Sequence, residues 1–258
     1  MTSKFETAMR KAFEEWESEG KCSEALKLNQ YIGEAYFDVT NPHFYTGDFT
    51  SKLVLVHLNP KRNVDNDEWG LKCIFPDFNV YTEYYKRFGY IKYQKEREEG
   101  KIHKSPFDHK QIRFLKPFGV LLFTGDKYND LELVIDSKLQ LELIPYGSPD
   151  FNSNKFRTED LMPFTERILD LIGSKGRDYV IFCGRVFYKI LCPFIVKEKE
   201  FEFKLQKTNG KETINQYQIK NIQLVNGINA TIAPQFARQG CPVDKYGEKI
   251  KEYYGKFD

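Results

Sequence analysis

The sequence lacks paired cysteines at metal-ligand spacing and lacks any hydrophobic run long enough to cross a membrane. Its 258 residues include five cysteines, and none of them forms a C-x-x-C pair. Zinc and iron–sulfur centres are therefore not expected, and we predict no metal and no cofactor. Residues 1–7 have no apolar signal region, so we expect a cytoplasmic protein with reduced thiols and no membrane contact.

A large excess of charge of either sign is also absent. The 39 Lys and Arg residues nearly balance 37 Asp and Glu residues, giving a net charge of +2, which does not by itself identify a nucleic-acid partner. The distribution is uneven, because residues 86–116 hold ten basic side chains against four acidic ones. Basic and aromatic residues interleaved in this way suit a groove that follows a nucleic-acid strand. A solvated amphipathic helix followed by a surface loop is an equally good interpretation. The aromatic residues of the segment are Phe88, Tyr90, Tyr93, Phe107 and Phe114.

The composition is that of a globular protein. Hydrophobic residues make up 41% of the chain and aromatic residues 16%, which is enough to build a sizeable core. Without an internal repeat or a linker, the sequence predicts one domain over residues 1–258 and a monomer. We expect a helical extension over residues 1–50 and an appended β-hairpin over residues 198–222.

Hydrophobic periodicity predicts helices alternating with short apolar strands, which is typical of the α/β class with a central, mainly parallel sheet. Helices are expected over residues 4–19, 23–36, 80 to about 99 and 158–173, with a short helix through Leu191 and another ending at Tyr254. Strands are expected over residues 52–58, 119–124, 139–145, 178–185 and 229–233, with hairpin strands over 200–205 and 215–219.

The most informative segment is residues 53–63, an apolar strand that continues into a polar loop. Asn59 and Pro60 open this loop, and Lys61 and Arg62 follow. Open α/β sheets bind ligands just beyond the carboxyl ends of their strands, and proline restricts the residue before it to an extended backbone. Asn59 is thus presented on a stiff turn, with two cations that suit phosphate. The alternative is an ordinary strand exit with a solvated basic tip.

Five segments, in this order along the chain, resemble the motifs of the uracil-DNA glycosylase superfamily. The first is similar to the mismatch-directed branch, in which the asparagine orients the attacking water. The first segment is residues 58–60. Residues 70–79 are similar to the segment that carries the base-stacking aromatic ring, and residues 141–146 to the middle strand with its base-reading group. Residues 178–185 are similar to a later apolar strand, and residues 232–236 to the start of the minor-groove wedge loop.

This resemblance implies a three-layer α/β/α fold and a monofunctional DNA glycosylase without a cofactor. It assigns Asn59 as the catalytic residue and Phe75 as the ring that stacks on the base. Side-chain chemistry adds two base-binding candidates: His57 as a donor to the leaving base, and Glu142 as an acceptor from an exocyclic amine, which would make it a cytosine reader. The expected DNA-binding residues are Lys61, Arg62, Gln235, Phe236 and Arg238.

The chain departs from the family pattern at the positions that read and release the base. Ala233 stands where the family has His or Asn to stabilise the departing base, and Glu142 or Leu143 replaces an Asn of the middle strand. His57 and Lys61 replace the glycines that flank the first motif. An altered pocket on this scaffold suggests a modified or damaged pyrimidine, such as a modified cytosine in phage DNA, and a role in antiviral defence.

Each assigned residue also has a purely structural interpretation. Phe75 and His57 can be core residues of apolar segments, and Glu142 can face solvent, since strand side chains alternate. The loop with Gln235 and Phe236 can be a surface turn with one exposed ring. Two other functions compete: a non-catalytic reader of modified or flipped bases, and a small-molecule hydrolase.

Overall fold

The computed structural model describes residues 3–60, 75–120, 124–207, 210–237 and 240–258. Helices are α1 (Lys4–Glu19), α2 (Ser23–Ile32), α3 (Phe78–Lys86), α4 (Tyr90–Glu98), α5 (Pro106–Leu115), α6 (Lys127–Asp136), α7 (Thr158–Gly173), α8 (Phe187–Leu191) and α9 (Val243–Tyr253). Strands are β1 (Tyr45–Gly47), β2 (Leu53–His57), β3 (Leu139–Glu142), β4 (Tyr179–Cys183), β5 (Ile195–Phe203), β6 (Tyr217–Leu224) and β7 (Asn229–Ala233). Short 3₁₀ helices are Lys116–Phe118, Ser153–Lys155 and Cys192–Phe194.

The strands form one mixed sheet of seven, in the order β1-β3-β2-β4-β7-β6-β5. The four central strands, β3, β2, β4 and β7, are parallel, while β1, β6 and β5 each pair antiparallel with a neighbour. The α/β class is therefore confirmed. Because the central strands are parallel, their carboxyl ends meet at one edge, where ligand sites of open α/β sheets are found.

Helices cover both faces of this sheet. The first cluster is defined by Val54, Val56 and Leu139 with apolar residues of α1, α2, α3 and α7. The second cluster is defined by Leu55 and Ile181 with apolar residues of α5, α6 and α9. Successive strand residues alternate between the two clusters because strand side chains point to opposite faces. Within the described ranges, no helix is long and apolar enough to span a membrane.

The helices predicted at 4–19 and 158–173 are confirmed at both ends, but the helix predicted over 80–99 is two helices. Gly89 separates α3 from α4 with φ of 104°, a left-handed conformation that favours glycine. The predicted helix 23–36 stops earlier, because Gly33 with φ of 78° caps α2. Strand β1 and helices α5 and α6 were not predicted. Of the strand predicted at 119–124, residues 121–123 lie outside the described part of the chain, and the others are not in a strand.

The predicted hairpin strands are longer than expected. Strands β5 and β6 pair antiparallel from Ile195 with Leu224 to Phe203 with Tyr217, and β6 also pairs with β7. They therefore continue the central sheet to its edge.

The first 50 residues contribute directly to the core. Phe5, Met9 and Phe13 of α1 and Leu28 of α2 are buried in the first cluster. Strand β1 lies so close to β3 that a Cβ atom at Gly47 would be 1.9 Å from the carbonyl oxygen of Lys138.

A buried histidine connects α4 with α5. His103 is 1% exposed, its Nδ1 lies 2.7 Å from Glu96 Oε2, and its Nε2 lies 2.7 Å from Asp108 Oδ2. Hydrogen bonding to Asp108, with a further contribution from Glu96, raises the pKa of His103 in spite of its burial. The charged imidazole is therefore favoured in the folded protein.

We predict that His103→Gln lowers the free energy of unfolding by about 1–3 kcal/mol at pH 6, because two half-buried carboxylates lose their cationic partner. The folded pKa lies above the unfolded value of about 6.5, so the stabilisation is complete below that pH and is lost as the pH rises through the folded pKa. Urea unfolding between pH 6 and 9 should show the two proteins converging. A constant difference across this range would contradict the prediction.

Candidate active site at the carboxyl edge of the sheet

Several of the residues predicted to form the site lie at the carboxyl edge of the central strands. His57 is the last residue of β2 and Glu142 the last of β3, and the two are Cα partners in the parallel register. Asn59 follows β2 by two residues, and Gln235 follows β7 by two. The fold thus brings the loops after β2, β3 and β7 to one place.

The side-chain amide of Asn59 is held by its nitrogen. Asn59 Nδ2 lies 2.8 Å from Ser148 Oγ, 2.9 Å from the Pro60 carbonyl oxygen and 3.3 Å from that of Tyr146. No residue in the described ranges donates to Asn59 Oδ1. Since the nitrogen is fixed by the loop after β3, the oxygen is an oriented acceptor that can hold a water molecule.

The loop that holds Asn59 is itself anchored by the N-terminal part of the chain. The Ser148 hydroxyl donates to the carbonyl oxygen of Asp150, and the Tyr36 hydroxyl lies 2.7 Å from Asp150 Oδ1. The Asp38 amide also donates to the Gly147 carbonyl at 2.8 Å. The position of Asn59 therefore depends on residues that follow α2.

His57 is 6% exposed and pairs with the loop after β7. Gln235 Nε2 lies 3.0 Å from His57 Nδ1. The ring also contacts Phe107 at a centroid distance of 5.8 Å and Phe236 at 6.2 Å. Burial, with a smaller contribution from Lys138, lowers the pKa of His57 to about 3. The ring is thus neutral at physiological pH, and with Gln235 donating to Nδ1 it carries its proton on Nε2.

Glu142 ends a row of polar side chains that starts just before β3, in which Lys138 and Glu142 are buried and Gln140 is half-buried. Lys138 Nζ donates to Gln140 Oε1 at 2.7 Å, and Gln140 Nε2 donates to Glu142 Oε1 at 2.9 Å. Gln111 of α5 reaches the same Gln140 oxygen at 3.2 Å. Burial raises the pKa of Glu142 to about 7, although Gln140 and Lys138 oppose the shift. Burial lowers the pKa of Lys138 to about 8.

Three buried polar atoms of this site have no hydrogen-bond partner among the described residues: His57 Nε2, Glu142 Oε2 and Gln235 Oε1. A buried polar group left unpaired costs about 1–3 kcal/mol. One donor and two acceptors are therefore concentrated where the three loops meet, and a ligand with complementary polar groups would satisfy them.

Phe75 lies away from these atoms. It is 6% exposed and packs in the first cluster against Trp16, Tyr81 and Tyr84 at centroid distances of 5.1–6.0 Å. His57 contacts residues of the second cluster, on the opposite face of the sheet. The structure does not bring Phe75 together with His57 and Glu142.

The expectation of an exposed ring at Phe236 is wrong. Phe236 is 1% exposed and stacks on Phe114 at a centroid distance of 4.4 Å and an interplanar angle of 11°. The ring is thus a core residue of the second cluster and is not presented as a wedge. The expectation that Glu142 can face solvent is also wrong, because α5 covers this face of β3. Lys61, Arg62 and Arg238 lie outside the described residues.

Many side chains of the basic and aromatic segment 86–116 are buried or paired within the protein. Tyr93 and Phe114 are buried, and Arg97 and Arg113 pair with acidic residues of neighbouring elements. Lys110 donates to the Ala237 carbonyl oxygen at 2.6 Å, which fixes α5 to the loop after β7.

Sequence reasoning missed five residues of the site: Lys138, Gln140, Gln111, Ser148 and Tyr36. The polar alternation of residues 138, 140 and 142 was the available signal, but a strand with one solvent-exposed face has the same pattern. Within the described ranges, no group of three His, Cys, Asp or Glu residues is arranged to hold a metal ion.

No protein-family model matches this sequence, and comparison with curated proteins finds no match.

We predict that Glu142→Gln removes a pH-dependent destabilisation. The folded pKa of Glu142, about 7, exceeds the unfolded value of about 4.3. The folded state therefore binds the extra proton, and stability falls as the pH rises from 4.3 through 7. The variant should gain on the wild type by about 3 kcal/mol between pH 4.5 and 8, measured by urea unfolding. Glu98→Gln, on an exposed position of α4, is the control and should show no such gain.

Proposed function

We propose that this protein is a monofunctional DNA glycosylase, with the three-layer arrangement of the uracil-DNA glycosylase superfamily, acting as a monomer on a flipped base. The supporting observation is the Asn59 amide. Its nitrogen is bound by the loop after β3, its oxygen has no donor among the described residues, and it lies two residues beyond the buried polar atoms of His57. A water-orienting acceptor next to polar groups that can recognise the base is what hydrolysis of an extruded base requires.

In the proposed reaction, Asn59 Oδ1 accepts a hydrogen bond from a water molecule and orients its oxygen toward C1′ of the sugar. The bond between C1′ and the base nitrogen breaks, and its electron pair leaves with the base. The water oxygen forms the new bond to C1′ and releases a proton to solvent. Asn59 is a poor base, so its contribution is orientation, and the DNA phosphates favour the cationic sugar.

The departing base gains negative charge and requires a donor. His57 is suited to this task because it is neutral, buried and carries an unpartnered Nε2. A fixed hydrogen-bond donor in a site without water stabilises developing negative charge strongly. Ala233, at the position where the resemblance places the family's own donor, is buried and apolar. We propose a modified or damaged pyrimidine as the base and phage DNA as a plausible source, with an abasic site as the product.

We predict that Asn59→Ala lowers the single-turnover rate of base release by roughly 10²-fold or more, because the water loses its orientation. DNA binding should change less than about threefold, since neither the fold nor the recognition atoms are removed. The assay incubates the protein with DNAs carrying uracil, mismatches or modified cytosines and detects alkali-labile sites.

Unchanged release by Asn59→Ala would contradict the mechanism. Tight binding without release from any of these DNAs, by wild type and variant alike, would favour a non-catalytic reader. That alternative is supported by the apolar Ala233 at the place of the family's donor.

We predict a smaller effect for Ser148→Ala, because Ser148 acts on the reaction through Asn59. Loss of the hydroxyl removes one of three acceptors of Asn59 Nδ2, so the rate of release should fall by about tenfold. Binding to the same DNA should stay constant. The control is Ser18→Ala, the same substitution at an exposed position of α1, which should leave both values unchanged. Equal losses of rate and binding would indicate a general structural defect and contradict the positioning role.

A further inference from the structure

The three unpartnered atoms at the site form a defined recognition pattern. Gln235 Oε1 is an acceptor and His57 Nε2 is a donor, and Glu142 Oε2 is an acceptor once the carboxyl group is ionised above its pKa of about 7. Glu142 and His57 are Cα partners on adjacent parallel strands, whose spacing is about 4.8 Å. The Gln235 amide is hydrogen-bonded to the His57 ring. The three atoms therefore lie close enough to meet the edge of one heterocycle.

Two atoms of this pattern, Glu142 Oε2 and His57 Nε2, are complementary to an amine-bearing pyrimidine, and in the same orientation they are not complementary to its carbonyl counterpart. In cytosine the exocyclic amine at position 4 is a donor and the adjacent ring nitrogen is an acceptor, whereas uracil has an acceptor and a donor at these two places. The exocyclic amine would donate to Glu142 Oε2, and the ring nitrogen would accept from His57 Nε2. Uracil would place its carbonyl oxygen against a carboxylate oxygen and leave both unpaired.

The orientation of the carboxylate is fixed by its neighbours. Lys138 donates to the oxygen of the Gln140 amide, so the NH₂ group of that amide faces Glu142 and donates to Oε1. Only Oε2 is left for a ligand. A polar row that runs along β3 thus determines which atom of residue 142 is presented at the carboxyl edge.

We propose that Glu142 and His57, whose ring is held by Gln235, select a flipped pyrimidine with an exocyclic amine at position 4, of the cytosine class, over its carbonyl-bearing counterpart. This inference rests on the proposed function, since it assigns the specificity of the same site. Glu142 is the specificity-determining residue, because the acceptor it presents is the one that an amine requires and a carbonyl cannot use. Sites built to hydrogen-bond one group reject analogues that leave buried atoms unpaired.

The row along β3 makes Glu142→Gln a sharp test. In the variant, the side-chain oxygen of residue 142 accepts from Gln140 Nε2 as before, so its NH₂ group takes the place of Oε2. The presented acceptor becomes a donor, with almost no change of shape. The preference should therefore invert from the amine-bearing to the carbonyl-bearing base.

The experiment uses two matched pairs of bases that differ at position 4: cytosine with uracil, and 5-hydroxymethylcytosine with 5-hydroxymethyluracil. Each base is placed opposite an abasic spacer in one duplex, so that no pairing partner affects flipping. Release is measured in single turnover, and affinity is measured on duplexes with a hydrolysis-resistant 2′-fluoroarabino sugar. The wild type should prefer the amine-bearing member by roughly 10²-fold, the Glu142→Gln variant should prefer the other, and Glu98→Gln should behave as the wild type.

The two readouts separate this inference from the proposed function. Release without an amine preference would overturn the specificity and leave the glycosylase proposal intact. An amine preference in affinity without release would support the specificity and overturn hydrolysis. Two outcomes would overturn the assignment of Glu142. One is that a Glu142→Gln variant with cooperative thermal unfolding still prefers the amine-bearing base. The other is that the wild type shows no preference in either release or affinity.

Discussion

The parallel register of β2 with β3 is the constraint on which the site depends. Because Val54 lies opposite Leu139, His57 lies opposite Glu142, and both side chains face the second cluster. A slip of one residue would turn every side chain of one strand to the other face. It would move the polar row of Lys138, Gln140 and Glu142 into the apolar first cluster, away from Gln111 and His57. The apolar residues that alternate with the polar row therefore fix the geometry of the site as well as the core.

Much of the central sheet could be predicted because its strands are continuous apolar runs. Strands β2 and β4 are buried on both faces, so they lack the alternation of a surface strand and are recognisable from composition alone. Helix α5 was not predicted, and for that reason the burial of the polar face of β3 was not predicted either. A polar row at residues 138, 140 and 142 looks solvent-facing until Gln111 of α5 is known to lie over it.

The same limit separates the candidate residues whose place at the sheet edge follows from the sequence from those whose surroundings do not. Asn59 and Gln235 were found because a strand end fixes where the next residue lies, whatever packs around it. The exposure of Phe236 could not be predicted from the sequence, since an aromatic residue in a polar loop is equally suited to a surface and to a core. Its burial depends on Phe114, more than a hundred residues earlier. Ser148 and Tyr36 act through similarly distant contacts.

The chain of contacts from Tyr36 through Asp150 and Ser148 to Asn59 means that the four parallel strands do not by themselves fix the Asn59 side chain. A core transplanted without the segment that follows α2 would retain every parallel strand and still lose the anchor of the Asn59 amide. In a design context, the minimal unit therefore begins with the helices that precede the sheet. In evolution, the same linkage would force the N-terminal helices and the loop after β3 to change together.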